Sequence, residues 1–94
     1  MEKVIISKIS EYNGKNIALD GWVYNSRRSG KIGFLSLRDG FGIIQCIIEK
    51  QKIGEELFES FKKLTQESSI SITGKVVENS KAIGGYEILV DTFT

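Results

Sequence analysis

A run of alternating residues from Gly21 to Ile48 constrains the fold of this chain more than any other segment. Within its strand-like segments apolar residues recur at every second position, which puts one set of side chains on the core face of a strand and the other on its outer face. Asp39-Gly40 is a strong hairpin signal, because glycine supplies the positive φ that a tight turn needs. The run therefore predicts three consecutive antiparallel strands joined by glycine-containing turns.

The whole chain predicts an all-β architecture with a single helix. Leu57, Phe58, Phe61 and Leu64 follow a helical spacing in segment 55–64, while residues 1–15 are expected to form a short element that covers one end of the sheet. The predicted strands are residues 16–25, 32–38, 43–49, 70–76 and 86–93, with a turn at 26–30 and a loop at 79–85. Five strands with one α-helix between the third and the fourth is the order of an OB-fold barrel. Gly21 is expected to mark a bend or bulge in the first strand.

Length and charge restrict the classes of function. The 94 residues suffice for one domain, 1–94, but not for a core plus a catalytic lobe. The net charge of +1 does not argue for a nucleic-acid partner, but residues 1–50 carry eight Lys or Arg against five Asp or Glu, whereas residues 51–94 carry five against seven. With no His and one Cys, Cys46 in an apolar run, the sequence predicts a core cysteine and no metal site. It contains no signal peptide and no long apolar stretch, so a cytoplasmic protein without membrane contact is expected.

Phe34 is the first candidate for nucleic-acid contact. A phenylalanine is usually buried, so a place in the core is the alternative interpretation. However, Leu35 and Leu37 already occupy the inward face of this strand, which turns Phe34 outward unless Gly33 introduces a bulge. An outward aromatic ring among cations is a stacking platform, worth about 1–3 kcal/mol per nucleic-acid base.

Gln45 and Glu87 are the second pair of candidates. Gln45 lies between core-facing residues of its strand, and Glu87 directly precedes the core-facing Ile88, so each is predicted to point outward. The Gln45 amide offers a donor and an acceptor that match the edge of a base, although it could equally be a solvated side chain. An anion facing RNA repels phosphate, so Glu87 is either an ordinary surface charge or a carboxylate that accepts hydrogen bonds from guanine.

Four basic residues complete the candidate site: Arg27, Arg28, Lys31 and Arg38. The first two are predicted to lie in the first turn and to share one face with Phe34 and Lys31. Charged residues in turns are often merely solvated, but cations beside a stacking ring also favour phosphate contacts, which position RNA without reading its sequence. Trp22 and Asp39 are assigned to wall packing and turn chemistry, and Tyr24 receives no functional assignment. The chain has no phosphate-binding loop and no nucleophile–base pair, so catalysis is not predicted.

Several sequence blocks, in this order, resemble one protein family. They are Gly21-Trp22-Val23, Lys31-Ile32-Gly33-Phe34, Leu37-Arg38-Asp39-Gly40, Gly42-Ile43-Ile44-Gln45, Thr73-Gly74-Lys75-Val76 and Gly84-Gly85-Tyr86-Glu87-Ile88. Together they resemble the N-terminal anticodon-binding domain of class IIb aminoacyl-tRNA synthetases, and among these the asparaginyl members most closely. Aspartyl and lysyl members remain alternatives, as do a free-standing single-strand-binding OB protein and a protein-interaction barrel.

The resemblance implies an OB-fold that binds the anticodon stem-loop of tRNA. Phe34 would stack on the central anticodon base, Gln45 would read that base as uracil, and Glu87 would read a guanine at the first position. Arg27, with Arg28 beside it, would contact the RNA backbone. The resemblance also implies a catalytic domain that uses ATP and Mg²⁺ in a homodimeric parent ligase. That domain is absent from these 94 residues, which are expected to be an excised domain with no cofactor and no enzymatic activity of its own.

Overall fold

Five strands close into a barrel, as the sequence predicts. The computed structural model describes residues 2–94, so the first residue of the predicted element 1–15 lies outside the described residues. The strands are β1 (Asn16–Ser29), β2 (Ile32–Arg38), β3 (Ile43–Glu49), β4 (Ser69–Glu78) and β5 (Tyr86–Phe93). Their order around the barrel is β1-β2-β3-β5-β4, and the pairing of β3 with β5 is parallel whereas the other pairs are antiparallel. This arrangement confirms the predicted OB-fold.

The first strand is longer than predicted, because its 14 residues serve two neighbours. Residues 16–22 pair with β4 and residues 22–29 pair with β2, so the predicted turn at 26–30 shrinks to Gly30-Lys31. The irregularity in register lies between Val23 and Asn25 rather than at Gly21. At Gly21 the neighbouring strand leaves no room for a side chain, because a Cβ there would lie 2.4 Å from the Arg38 carbonyl oxygen. The prediction of a bulge at this glycine is therefore wrong by a few residues, and close strand packing explains the glycine instead.

The barrel interior holds the inward residues of all five strands and two aromatic rings from a helix. A single turn, α1 (Lys50–Ile53), precedes the predicted helix, which is α2 (Glu55–Lys62), and Gly54 separates them with φ +93°. Phe58 and Phe61 of α2 are buried, with ring centroids 5.8 Å apart. The helix between β3 and β4 thus supplies the bulky apolar groups that fill one end of the barrel.

The N-terminal segment forms a short element, as expected for residues 1–15, and packs against the barrel core. It forms a 3-10 helix, Ile6–Tyr12, whose Ile6 and Ile9 side chains are buried. Asp39 anchors this helix, since one of its carboxylate oxygens accepts from the Ile6 amide at 2.7 Å and the other from the Phe41 amide at 2.9 Å. The second contact confirms the predicted turn chemistry of Asp39, and the first adds a link between the β2–β3 hairpin and the N-terminus.

Cys46 is fully buried in the core, as predicted. Burial raises the pKa of its thiol far above the ordinary value. Because the thiolate is the reactive form, this cysteine is an inert packing residue in the folded domain. In the described part of the chain, no helix has both the length and the apolar character needed to cross a membrane.

Candidate nucleic-acid interface

The outer surface of β1, β2, β3 and β5 carries most of the candidate residues, and we call it the strand face. It is built by alternation: Leu35 and Leu37 are buried, so the residues between and beside them point outward. Phe34 is half-buried on this surface, which confirms its predicted orientation, and no bulge at Gly33 disturbs the β2 register. The strand face is defined by Arg27, Phe34, Ser36, Arg38, Gln45 and Glu87.

Arg27 and Phe34 form a stacked pair on the strand face. They are direct register partners of β1 and β2, and the Arg27 guanidinium carbon lies 4.3 Å from the centroid of the Phe34 ring. This distance is typical of a cation–π interaction. The pairing also corrects the predicted position of Arg27, which belongs to a strand rather than a turn. The structure therefore places a positive charge, which suits the phosphate backbone, directly beside an aromatic surface, which suits stacking of a base.

Arg28 does not share that face, so the prediction that places both arginines beside Phe34 is wrong. Its register partner is Gly33, and a Cβ on Gly33 would lie 2.4 Å from the Phe61 ring of α2. Directly paired residues of antiparallel strands share one side of the sheet, so Arg28 lies on the side of the helix. The Lys62 ammonium donates to Glu59 at 2.8 Å and holds the pKa of that carboxyl below its usual value. The positive charge of Arg28 lowers the same pKa further.

Lys31 and Arg38 mark the two ends of β2. Lys31 is exposed in the two-residue turn at the tip of the β1–β2 hairpin. Arg38 is half-buried at the other end of the strand face, with its guanidinium carbon 5.4 Å from the Trp22 ring centroid and 5.5 Å from that of Tyr24. The two aromatic residues that the sequence left without a nucleic-acid role therefore hold a cation in place. Arg38 lies four positions after Phe34, roughly 13 Å along the strand.

Gln45, Glu87 and Asn79 form a hydrogen-bonded cluster on the β3–β5 side of the strand face. Gln45 and Glu87 are register partners in the parallel β3–β5 pair, and Gln45 Nε2 donates to Glu87 Oε2 at 3.4 Å. Asn79 Nδ2 donates to the same oxygen at 3.2 Å. All three side chains are half-buried. The two predicted base-reading residues are therefore direct neighbours, and the negative charge of Glu87 is held by amide donors rather than by a cation.

Asn79 is not among the residues predicted from the sequence, because it falls at the start of the predicted loop 79–85. Val77 of β4 pairs with Glu87 of β5, so a residue two positions after Val77 returns to the same face at a diagonal to Glu87. The only signal that could have identified Asn79 is thus the register of the last hairpin, together with the preference of asparagine for side-chain contacts in turns.

The geometry suits binding and recognition of a single strand rather than a reaction. An open face presents a ring, an amide, a carboxylate and two guanidinium groups, and the one cysteine lies in the core. Among residues 2–94, no three His, Cys, Asp or Glu side chains come together in a way that could hold a metal ion. Stacking surfaces with adjacent base-edge donors and acceptors are the means by which OB-folds bind single-stranded nucleic acids.

Comparison with known proteins points in the same direction. Residues 17–94 match the tRNA anticodon family, described as an OB-fold nucleic acid binding domain. The chain is 48% identical over 90 residues to the asparagine–tRNA ligase of Pelotomaculum thermopropionicum, an alignment that covers 96% of this chain and 21% of the ligase. The chain therefore spans about a fifth of the length of that relative.

Solved structures give the same relation. The crystal structure of asparaginyl-tRNA synthetase from Pyrococcus horikoshii complexed with asparaginyl-adenylate superposes with a TM-score of 0.93 and 42% identity, over 100% of this chain and 22% of that one. An aspartyl-tRNA synthetase from Entamoeba histolytica superposes with a TM-score of 0.89 but only 26% identity, over 99% and 21% of the two chains. Both the fold and the sequence are thus shared with one terminal part of larger enzymes.

Proposed function

The chain belongs to the tRNA anticodon family of OB-fold nucleic acid binding domains, and we propose that it is the anticodon-binding domain of an asparagine–tRNA ligase. The observation that carries this proposal is the juxtaposition of Phe34, Gln45 and Glu87 on one open face. A domain that bound any single strand would gain little from a carboxylate in its groove. A domain that reads guanine gains a two-acceptor partner for the N1–H and N2–H₂ donors of that base.

The choice of asparagine over aspartate rests on sequence. Identity is 48% to one asparagine–tRNA ligase and 42% to an asparaginyl-tRNA synthetase, against 26% to an aspartyl-tRNA synthetase of similar fold. We propose that ligation, with ATP and Mg²⁺, takes place in parts of the parent protein beyond residues 1–94, because the relatives are about five times longer. A homodimeric parent in the cytoplasm, with the tRNA anticodon stem-loop as the partner of this domain, completes the proposal.

In this proposal different side chains of the strand face contact the bases and the phosphates of the RNA. Phe34 stacks on the central base, and Gln45 offers its amide to the edge of that base, where one donor and one acceptor suit uracil. Glu87 accepts from the first base. Arg27, Lys31 and Arg38 contact phosphate, which fixes the register of the RNA and carries no sequence information. Arg28 lies on the helix side of the hairpin and has no RNA contact in this proposal.

The Glu87→Gln variant tests the proposed function. Its binding to a stem-loop with guanine in the first anticodon position should weaken by about 1–3 kcal/mol, the range of a good bidentate base contact. The reason is that a glutamine amide has only one acceptor atom, its oxygen, whereas its nitrogen is a donor that faces the donors of guanine. Binding to a loop with adenine there should weaken far less or improve. Titration of both loops by fluorescence anisotropy at one salt concentration measures the difference. Tighter binding of every loop by the variant would instead identify a general single-strand binder.

Salt dependence distinguishes the two adjacent arginines. Arg27→Ala should reduce the slope of log affinity against log salt by about one unit for every stem-loop, because one phosphate contact and its counterion release are lost. Arg28→Ala is the matched control, since that side chain lies on the side of α2, and its slope should stay close to that of the unmodified domain. Equal changes for the two variants would contradict the assignment of Arg27 to the RNA-binding face.

A further inference from the structure

Both amides that contact the Glu87 carboxylate donate to the same oxygen. Asn79 Nδ2 and Gln45 Nε2 lie 3.2 Å and 3.4 Å from Oε2, whereas Oε1 accepts no hydrogen bond from residues 2–94. One oxygen therefore anchors the side chain, and the other retains its full capacity to accept. A glutamate held in this way has lost most of its rotamer freedom before any ligand arrives.

Asn79 is itself fixed by the loop that it begins. Its side-chain Oδ1 accepts from the Lys81 backbone amide at 3.0 Å. Its backbone N–H donates to the Gly85 carbonyl and its backbone carbonyl accepts from the Ala82 N–H, both at 2.9 Å. Because Oδ1 is occupied by a backbone donor, Nδ2 must be the atom that faces Glu87, which removes the usual ambiguity of an amide. The backbone of the β4–β5 loop thus sets the direction of the Asn79 donor.

We infer that Asn79 is a positioning residue for base reading: it orients the Glu87 carboxylate so that both oxygens can accept from the two-donor edge of guanine. This inference rests on the proposed function and extends it to a residue outside the base-contacting set. Asn79 donates to Oε2 and leaves Oε1 available, and Oε2 can accept more than one hydrogen bond. The longer bond from Gln45 is the one that is exchanged when the Gln45 amide turns to its own base. Fixing the carboxylate in advance saves the entropy that its immobilisation would cost on binding.

The chain offers a variant that separates positioning from loop structure. Asn79→Asp keeps an oxygen that can accept from the Lys81 amide, but it replaces the donor that faces Glu87 with a negative oxygen. Asn79→Ala removes the donor without adding charge. Gly84→Ala is the matched control, because Gly84 has φ +75° and a Cβ there meets nothing within 4 Å. The control strains the same loop without touching the Asn79–Glu87 contact.

Stem-loops with guanine, inosine or adenine in the first anticodon position provide the measurement. Inosine lacks the 2-amino group of guanine, so the ratio of the two affinities reports the second of the two hydrogen bonds to the carboxylate. We expect a guanine-to-inosine ratio of roughly tenfold for the unmodified domain and for Gly84→Ala, within the range for a lost contact in bidentate base recognition. For Asn79→Asp and Asn79→Ala the ratio should fall towards one. The added charge of Asn79→Asp should weaken binding of all three loops by the same factor, which cancels in the ratio, so the fall in the ratio reports the loss of the Nδ2 donor alone.

The outcomes separate failure of this inference from failure of the proposed function. If both Asn79 variants fold, as judged by thermal unfolding, and retain the guanine-to-inosine ratio of the unmodified domain, then Asn79 only shapes its loop and the inference is wrong. If the unmodified domain itself binds guanine and inosine loops equally, then Glu87 does not read guanine with both oxygens, and the proposed function loses its main support as well. A ratio lowered in the Asn79 variants and retained in Gly84→Ala supports the inference.

Discussion

Phe34→Ala is expected to weaken binding of the anticodon stem-loop by about 1–3 kcal/mol, since this is the contribution of a single aromatic–base stack. The ring is half-buried on the strand face and carries the Arg27 guanidinium at 4.3 Å, so its removal also deprives that cation of its support. The loss should be similar for loops with different first bases, because every base has a face that can stack. Isothermal titration at one fixed salt concentration measures it.

Phe41→Ala provides the control for this variant. Phe41 lies in the β2–β3 turn and is 65% exposed, so it matches Phe34 in chemistry but lies outside the strand face. Its replacement should leave the affinity for RNA unchanged within the error of the titration. If Phe41→Ala and Phe34→Ala weaken binding equally, the RNA does not stack on the strand face, and the assignment of the interface is wrong.

Leu35→Ala is expected to lower the free energy of unfolding by about 2–5 kcal/mol, as for other leucines removed from a tightly packed core. Leu35 is adjacent to Phe34 in sequence but is only 1% exposed inside the barrel. Urea unfolding followed by circular dichroism gives the midpoint and the slope of the free energy of unfolding against urea concentration, and hence the loss of stability. Ile32→Ala in the same strand is the control, because Ile32 is 38% exposed and its loss should change stability far less. Comparable losses for the two variants would contradict the inward orientation of Leu35.

The sequence predicted the elements whose residues alternate clearly. The bounds of β2, β3 and β5 agree with the prediction, since apolar residues at every second position leave one possible core face. The outward directions of Phe34, Gln45 and Glu87 follow from the same alternation. Their roles in reading bases came from the resemblance to a protein family and remain predictions.

The features that the sequence did not predict depend on pairing between distant segments. Residues 26–29 are polar throughout and show no period, but pairing with β2 makes them a strand, and a strand forces Arg27 and Arg28 to opposite sides. Asn79 is close to Glu87 only because of the β4–β5 register. The four residues of α1 are too few for a helical period to be visible. In each case the deciding contact lies outside the window in which a local pattern can be recognised.

The alternation in the strands also bears on how such a domain can change its target. Phe34 is followed by the buried Leu35, and Gln45 lies between the buried Ile44 and Cys46. Recognition and stability are therefore encoded at interleaved positions, and a substitution at one kind of position leaves the other kind in place. A family built on this barrel can acquire a new anticodon preference by exchanging a few outward side chains while its core is preserved. For the same reason, most members of a laboratory library that varies only the outward residues of the strand face should still fold, so that selection acts on binding.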